Sequence, residues 1–371
     1  MGNRFLDISG EPTSSDDEYN SSSVDFTDRR SSARTTSKDD LGFTAPLVPV
    51  KPSLIFNGED KSTPSSPITI VTMFFNMKIF KDSSPSTRPM DFYIQNGVEV
   101  IKLKYPMVIF CDEITYGPLK EMRDQEVDSQ QYPTHYIIKN LSEYEYYQNC
   151  WHIIDNNRKK NGYPADNRNT VSYLLMGMFK PLALSIVHKM NLFHSSHYAW
   201  VDLGCNHIVR NLAENYKIML DNPQPKVRTC YIHYRGKEEL SDMIKFMDQG
   251  GPCGVASTAF TVEADYVDRF YTSMFSIFFE KLTKGVGHTD ETVMTFCYDR
   301  YPEIFNIYQG DYYSIFSNYL EPVEDIDSII NFFIWSAMNC GRNDLAKDVA
   351  AKILNANPGL DDGRKNFLRS L

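Results

Sequence analysis

Closely paired cysteines are missing from this sequence, although it contains 7 cysteines among 371 residues. The cysteines are scattered and odd in number, and none forms a CxxC pair. Zinc sites built on cysteine usually contain such pairs, so we expect no zinc site. The pattern favours a reducing compartment and predicts a cytoplasmic protein.

Long apolar runs and an excess of positive charge are missing as well. We expect no run of sufficient length to cross a membrane, and the polar N-terminus does not resemble a signal peptide. The formal net charge is -10, whereas nonspecific nucleic-acid binding needs a basic surface. The sequence therefore predicts neither a membrane span nor a nucleic-acid-binding protein.

Composition divides the chain into three parts. Residues 1–66 are rich in Ser, Thr, Asp and Arg and poor in large apolar residues, so a disordered tail is predicted. Residues 67–320 alternate predicted strands with predicted helices, which indicates an α/β domain whose mostly parallel sheet is covered by helices. Residues 321–371 are predicted to form a helical hairpin that packs on this domain.

The spacing of apolar residues predicts the individual elements. Strands are expected at 68–75, 107–110, 136–138, 198–201 and 227–234. Helices are expected at 90–95, 209–220 and 262–282, and from Thr289 onward, with loop and short helix over 114–135. Residues 170–190 have a helical pattern, but a new helix is expected to start at Pro181, because proline is best tolerated at a first helical position.

Two predicted strands end in acidic residues. Asp202 follows the segment HYAWV (197–201), and Gly204 allows the backbone to turn sharply after it. Asp112 follows the segment MVIFC (107–111). Open α/β sheets bind ligands just past such strand ends, and carboxylate oxygens suit Mg²⁺ or Mn²⁺. A metal and a phosphate-bearing substrate are therefore predicted, although each acid could instead be a helix N-cap or turn residue.

The ordered part resembles the HtrL/YibB family, which belongs to the type A (GT-A) glycosyltransferase superfamily with its Rossmann-like fold. The segments that carry the resemblance are IVTMFF (70–75), PMVIFCD (106–112), KP (180–181), WVDLG (200–204), the glycines from Gly250, DE (290–291), PEIF (302–305), GDYY (310–313) and NY (318–319). The resemblance implies a transferase that uses a UDP- or GDP-linked sugar. Its acceptor would be a glycan, a lipid-linked sugar or a protein.

The resemblance also implies a divalent metal, Mn²⁺ or Mg²⁺, that would hold the donor diphosphate and lower the charge on the leaving group. Type A enzymes usually place Asp-x-Asp at a strand end, but Gly204 replaces the second Asp here. Asp202 and His207 are the candidate ligands, and Asp112 or His288 could complete the site. The alternatives are a structural turn residue for Asp202 and a capping or surface histidine for His207.

Donor contacts follow from the same resemblance. The first strand end would receive the nucleotide base, and since Phe74 and Phe75 point to opposite faces, one of them must be buried. The glycine-rich stretch resembles the loop that approaches the donor sugar, although an ordinary turn is the alternative. Arg88 and Arg123 could contact phosphate, but lone arginines are usually solvated. The candidate donor-binding residues are Thr72, Phe74, Asp112, Lys180, Gly250, Gly251 and Gly254.

The pair Asp290 and Glu291 resembles the acids that offer a general base to the acceptor in inverting enzymes. Both acids would also simply favour a helix N-terminus. Two functions remain open: a cytosolic, metal-assisted glycosyltransferase, or a catalytically inactive relative that acts as a binding or scaffold protein. A phosphohydrolase is less favoured, because it would show clustered Asp and His pairs at several strand ends.

Overall fold

The computed structural model describes residues 66–161, 169–209, 212–248, 254–287 and 289–371. Apart from Ser66, the predicted tail of residues 1–66 lies outside the described residues. The strands are β1 (Ile68–Phe74), β2 (Met107–Cys111), β3 (Thr134–Ile138), β4 (His197–Val201), β5 (Val227–Tyr231), β6 (Ala259–Glu263) and β7 (Phe305–Gln309).

These strands form one sheet in the order β3-β2-β1-β4-β6-β5-β7. All neighbouring strands are parallel except β6, which runs antiparallel to both β4 and β5. The predicted α/β fold with a mostly parallel sheet is confirmed.

Helices cover both faces of the sheet. They are α1 (Met90–Ile101), α2 (Glu113–Glu126), α3 (Glu145–Asn161), α4 (Val171–Met190), α5 (Leu212–Leu220), α6 (Lys237–Ser241), α7 (Met243–Asp248), α8 (Val267–Thr283), α9 (Asp290–Arg300), α10 (Ile326–Ser328), α11 (Trp335–Asn339), α12 (Asn343–Ala356) and α13 (Asp362–Ser370). A π-helical stretch, Ile329–Ile334, joins α10 to α11. Short 3-10 helices lie at Met77–Ile79, Leu141–Glu143, Cys205–His207, Ala264–Tyr266, Pro302–Ile304 and Tyr312–Ser314.

Two apolar layers flank the sheet, because successive side chains of a strand point to opposite faces. Phe75 belongs to the layer that contains α3, α4, α8 and α9, whereas Phe74 belongs to the layer that contains α1, α2 and α5. The predicted divergence of these two phenylalanines is therefore correct. Burying a side chain of this size contributes about 1.5–3 kcal/mol, so both layers hold the sheet in place.

Helix α4 corrects two expectations. It runs from Val171 to Met190 without a restart at Pro181. Proline removes one backbone hydrogen bond, but most of this helix is buried, and packing outweighs that loss. By length and composition α4 could also cross a membrane, with a mean hydropathy of 1.4, and it is the one such helix among the described residues. Its most apolar stretch is 78% buried against the sheet and α3, α8 and α9, as in a central core helix.

Other boundaries differ where local signals conflict. Residues 259–263 form a strand, and the helix predicted from 262 begins only at Val267. A short buried strand lacks alternation, so periodicity does not separate it from a helix. Strand β7 was not predicted, and α1 and α2 are longer than expected.

The C-terminal part is helical as expected. Gly341 adopts a φ of 74° between α11 and α12, and Pro358 follows α12. The segment 321–371 holds more helices than a two-helix hairpin, because α13 follows α12 within the predicted range.

Candidate active site

A cleft of about 370 Å³ opens at the carboxyl ends of β1 and β4. The chain passes from β1 outward to β2 and β3 and then returns to place β4 on the other side of β1. The sheet order therefore reverses between these two strands, and such a reversal leaves a crevice where α/β proteins bind ligands. Residues that follow β1, residues that follow β4, the start of α1, one face of α4 and the start of α9 line the cleft.

Lys180 connects two carboxylates on the cleft floor. Its Nζ lies 2.9 Å from Oδ1 of Asp202 and 2.9 Å from Oδ2 of Asp290. The same Nζ donates to the carbonyl oxygen of Ser257 at 3.0 Å. The indole nitrogen of Trp200 donates to Asp202 Oδ1 at 2.7 Å. We call Lys180, Asp202 and Asp290 the lysine–aspartate cluster.

Glu291 lies next to this cluster with different partners. Tyr312 Oη donates to Glu291 Oε2 at 2.9 Å, and the Ser257 amide approaches Oε1 at 3.5 Å. The Ser257 hydroxyl donates to Asp290 Oδ2 at 2.6 Å. Ser257 thus contacts both acids and the lysine, and it holds the groups in one arrangement.

Burial and neighbouring charges shift the pKa values of Lys180, Asp290 and Glu291 in different ways. Burial alone would lower the pKa of Lys180, but Asp202 and Asp290 outweigh it and raise the pKa above its ordinary value. Burial would raise the pKa of Asp290, but the Lys180 charge and the Ser257 hydrogen bond leave it below its ordinary value. Burial and then Asp290 raise the pKa of Glu291 to about 7, against the hydrogen bond from Tyr312. Lys180 and Asp290 are therefore charged at neutral pH, whereas Glu291 titrates near it.

Aromatic side chains form the wall of the cleft beside α1. The ring of Phe74 lies 5.6 Å from the ring of Tyr93, and both line the cleft. Phe92 does not itself line the cleft, but its ring lies 5.7 Å from the ring of His207 and 4.5 Å from Arg88 Cζ, and both of these residues line it. The cleft thus combines an aromatic wall with a charged floor.

Six of the predicted site residues line this cleft: Phe74, Lys180, Asp202, His207, Asp290 and Glu291. Thr72 does not line it, because its side chain is fully buried within β1. Gly250, Gly251 and the alternative ligand His288 lie outside the described residues.

Asp112 and Gly254 have structural roles in the fold and lie outside the cleft. Asp112 caps α2, and its carboxylate accepts from the amides of Ile114, Thr115 and Asn76 at 3.0, 2.9 and 2.6 Å. A Cβ at Gly254 would lie 2.6 Å from Thr295 Cγ2, so this glycine allows close packing on α9. Neither residue lines the cleft, and the geometry gives no support to their predicted donor contacts.

The predicted metal site depends on the Asp202 carboxylate. Its side chain is 33% exposed toward the cleft, although Lys180 and Trp200 already bind its oxygens. No group of three or more His, Cys, Asp or Glu side chains suited to a metal occurs in the part of the chain that the structure describes. Mg²⁺ is commonly bound by one or two carboxylates together with substrate phosphates and water. The residues present fit such an ion only when a phosphate ligand accompanies it.

Sequence reasoning missed two residues of the site. Tyr312 belongs to the GDYY segment that carried the resemblance, but no role followed from its position in the sequence. Ser257 lies in a loop without any local signal, and only its hydrogen bonds identify it. Both act through contacts between residues far apart in the chain.

A protein-family model matches most of this chain. Residues 66–320 match the family HtrL_YibB, described as a bacterial protein of unknown function. A search of curated proteins gave no match.

Two solved structures share the fold distantly. Mouse xyloside xylosyltransferase 1 in its apo form is 12% identical with a TM-score of 0.35, over 65% of this chain and 84% of that chain. CMP:2-keto-3-deoxy-manno-octonic acid synthetase complexed with CTP is 10% identical with a TM-score of 0.31, over 66% and 90% of the two chains. Likenesses this distant do not indicate the activity of this chain.

The family match includes all seven strands and every residue that lines the cleft. The resemblance read from the sequence is thereby confirmed at the level of the family, and this chain belongs to the HtrL/YibB family.

Proposed function

We propose that this protein transfers a sugar from a nucleotide-sugar donor to an acceptor hydroxyl. The observation that carries the proposal is the position of Glu291, a carboxylate with a pKa of about 7, in a cleft at the switch point of the sheet. General bases work best when their pKa lies near the operating pH. The aromatic wall suits the base of a nucleotide sugar, and the charged floor suits its diphosphate.

Glu291 is a better base than its neighbour Asp290. Lys180 and the Ser257 hydroxyl both bind Asp290 at Oδ2, and both contacts favour the charged form of this carboxylate. Contacts of this kind lower the pKa of a carboxyl group, so it is a weaker base. Glu291 accepts hydrogen bonds from Tyr312 and Ser257 but has a raised pKa, so it is the acid of the pair that gains and loses a proton near pH 7.

The proposed reaction is a direct displacement. Glu291 removes the proton of the acceptor hydroxyl while that oxygen forms a bond to the anomeric carbon. The bond from the anomeric carbon to the donor phosphate breaks, and the nucleoside diphosphate leaves with the electron pair. The reaction inverts the configuration of the anomeric carbon.

The charged floor would receive the diphosphate side of the donor. Asp202 would hold the Mn²⁺ or Mg²⁺ that the resemblance implies, and such an ion would supply charge neutralisation for the leaving group. Lys180 fixes the orientation of Asp202 through two contacts, at 2.9 and 3.0 Å. Phe74 and Tyr93 would contact the base, which we propose to be uracil or guanine. The acceptor would be a glycan, a lipid-linked sugar or a protein, in the cytoplasm.

Calorimetry and turnover assays test this proposal together. UDP, GDP and their common sugar derivatives should be titrated with and without Mn²⁺ and Mg²⁺, and donor hydrolysis and transfer should then be measured. Glu291→Gln should keep donor affinity and lose about 10²- to 10⁴-fold in rate. Glu113→Gln is the matched control, because Glu113 is an exposed glutamate in the first turn of α2.

The result also separates the two functions left open by the sequence. Donor binding without any turnover would favour an inactive, nucleotide-binding relative. If neither nucleotide binds under any condition, the transferase proposal is wrong and the scaffold interpretation replaces it.

A further inference from the structure

Lys180, on the cleft floor, is already bound by protein groups. Lys180 has three N–H groups, and its Nζ contacts Asp202, Asp290 and the Ser257 carbonyl oxygen. A phosphate could bind Lys180 only by displacing one of these partners.

Arg88 is the other permanently charged cation that lines the cleft in the described residues. It is half-buried, and its guanidinium lies against the face of Phe92, 4.5 Å from the ring centroid. None of the described residues accepts a hydrogen bond from this guanidinium. A stacked guanidinium is fixed in orientation, and its planar N–H groups match two phosphate oxygens at once.

The guanidinium of Arg123 differs from that of Arg88, because protein carbonyl groups bind it. Its guanidinium is buried and donates to the carbonyl oxygens of Ile101, Leu103 and Tyr105. These contacts, with a bond from Nε to the Thr134 hydroxyl, use four of its five N–H donors within the fold, and Arg123 does not line the cleft. Of the two arginines considered from the sequence, only Arg88 lies where its donors can reach a ligand in the cleft.

We propose that Arg88 binds the phosphate groups of the donor and that Phe92 positions it for this contact. The inference rests on the proposed function, since it names the residue that recognises the charged part of a nucleoside diphosphate. His207 lies on the same wall, with its ring against Phe92, so the ligand would pass close to both basic side chains.

Binding measurements on the full chain test the assignment. UDP, GDP, the corresponding nucleosides and inorganic pyrophosphate should be titrated into the parent protein, Arg88→Gln, Arg88→Lys and Phe92→Leu. Lys102→Gln is the matched control, because Lys102 is half-buried at the far end of α1, outside the cleft, and pairs with Glu126 at 3.2 Å. Thermal melts should accompany each variant to verify that it folds.

We expect Arg88→Gln to weaken nucleoside diphosphate binding by about 10- to 100-fold, as the loss of hydrogen bonds to a charged group does. Nucleoside binding should stay unchanged, since it involves no phosphate. Arg88→Lys should recover only part of the affinity, because lysine lacks the planar pair of donors. Phe92→Leu should weaken diphosphate binding less than Arg88→Gln, and Lys102→Gln should bind as the parent does.

Equal diphosphate affinity in the parent and in Arg88→Gln would overturn the assignment and leave the proposed function intact. Pyrophosphate binding that depends on Arg88, without any preference for nucleotides, would support the phosphate site and contradict the nucleotide-sugar donor. A parent protein that binds none of these compounds would overturn both. If Arg88→Gln unfolds, the comparison of Arg88→Lys with the parent decides the assignment.

Discussion

A Cβ atom at Gly177 would lie 2.6 Å from Oδ1 of Asp290. Gly177 and Lys180 are three residues apart on α4, so both face Asp290 at the start of α9. Glycine within a helix costs about 0.5–1 kcal/mol relative to alanine. Its presence here allows α4 and α9 to approach closely enough for Lys180 to reach both carboxylates.

Gly177→Ala should therefore damage the site in spite of its better helix propensity. The added methyl group must displace the Asp290 carboxylate from Lys180 and Ser257, and hydrogen bonds to charged groups contribute about 1.5–3 kcal/mol. We expect a lower melting temperature and at least a tenfold loss of turnover. Gly117→Ala on α2 is the control, since its Cβ would meet nothing within 4 Å, and it should stabilise the protein. Parent-like stability and activity in Gly177→Ala would contradict the close contact.

Lys180→Met should destabilise the protein strongly. The variant leaves two carboxylates facing each other on the cleft floor without a counter-charge, and breaking a buried ion pair costs about 3–5 kcal/mol. Urea unfolding at pH 7 measures the loss, and it should shrink at acidic pH as the carboxylates take up protons. Lys189→Met is the control on the same helix, because the Lys189 side chain is 43% exposed. A similarly small loss of unfolding free energy in both variants would show that the lysine–aspartate cluster contributes little to stability.

Activity should rise with pH through about 7. Glu291 accepts a proton only when it is ionised, and its pKa in the folded protein is about 7. Tyr312→Phe removes a hydrogen bond that favours the ionised form, so it should raise the pKa of Glu291 and shift the rate profile to higher pH. A profile that stays in place would show that Glu291 is not the titrating base.

Glu291 should also make stability depend on pH. Its pKa is raised from 4.5 to about 7 by folding, so the folded state binds the proton more tightly than the unfolded state does. The stability that this proton contributes is fully present below pH 4.5 and is lost as pH rises through 7. Glu291→Gln carries no such proton, so its melting temperature should rise relative to the parent between pH 5 and pH 8. A constant difference would contradict the raised pKa.

Asp202 should bind a divalent ion only together with a nucleoside diphosphate. One carboxylate cannot fill the shell of Mn²⁺ or Mg²⁺, so phosphate oxygens must complete it. Calorimetry should show weak Mn²⁺ binding alone, stronger binding with UDP or GDP, and the loss of this gain in Asp202→Asn.

Asp112→Asn is the control for this experiment. Because Asp112 caps α2, its replacement should lower the melting temperature and leave metal and nucleotide binding unchanged. Metal-dependent binding that survives in Asp202→Asn would show that Asp202 is not the ligand.

Local sequence predicted five of the seven described strands and the position of the binding edge. Runs such as ITIVTMF and MVIFC are β-branched, aromatic and apolar, and they form β1 and β2 as expected. The acid after HYAWV does lie at the cleft, because the carboxyl ends of parallel strands meet at one edge. The order of these segments also identified the family correctly.

Tertiary structure alone decided which of the candidate residues act together. Lys180, Asp202 and Asp290 are distant in sequence, and their contacts depend on how α4, β4 and α9 pack. The same packing keeps α4 continuous through Pro181 and buries Thr72. Periodicity and propensity describe a residue and its near neighbours, whereas hydrogen bonds and burial depend on atoms brought together by the whole fold. The sequence was therefore sufficient to select these acids as candidates. Only the packed structure showed that Asp112 caps a helix, that Asp290 forms an ion pair with Lys180, and that Glu291 titrates near pH 7.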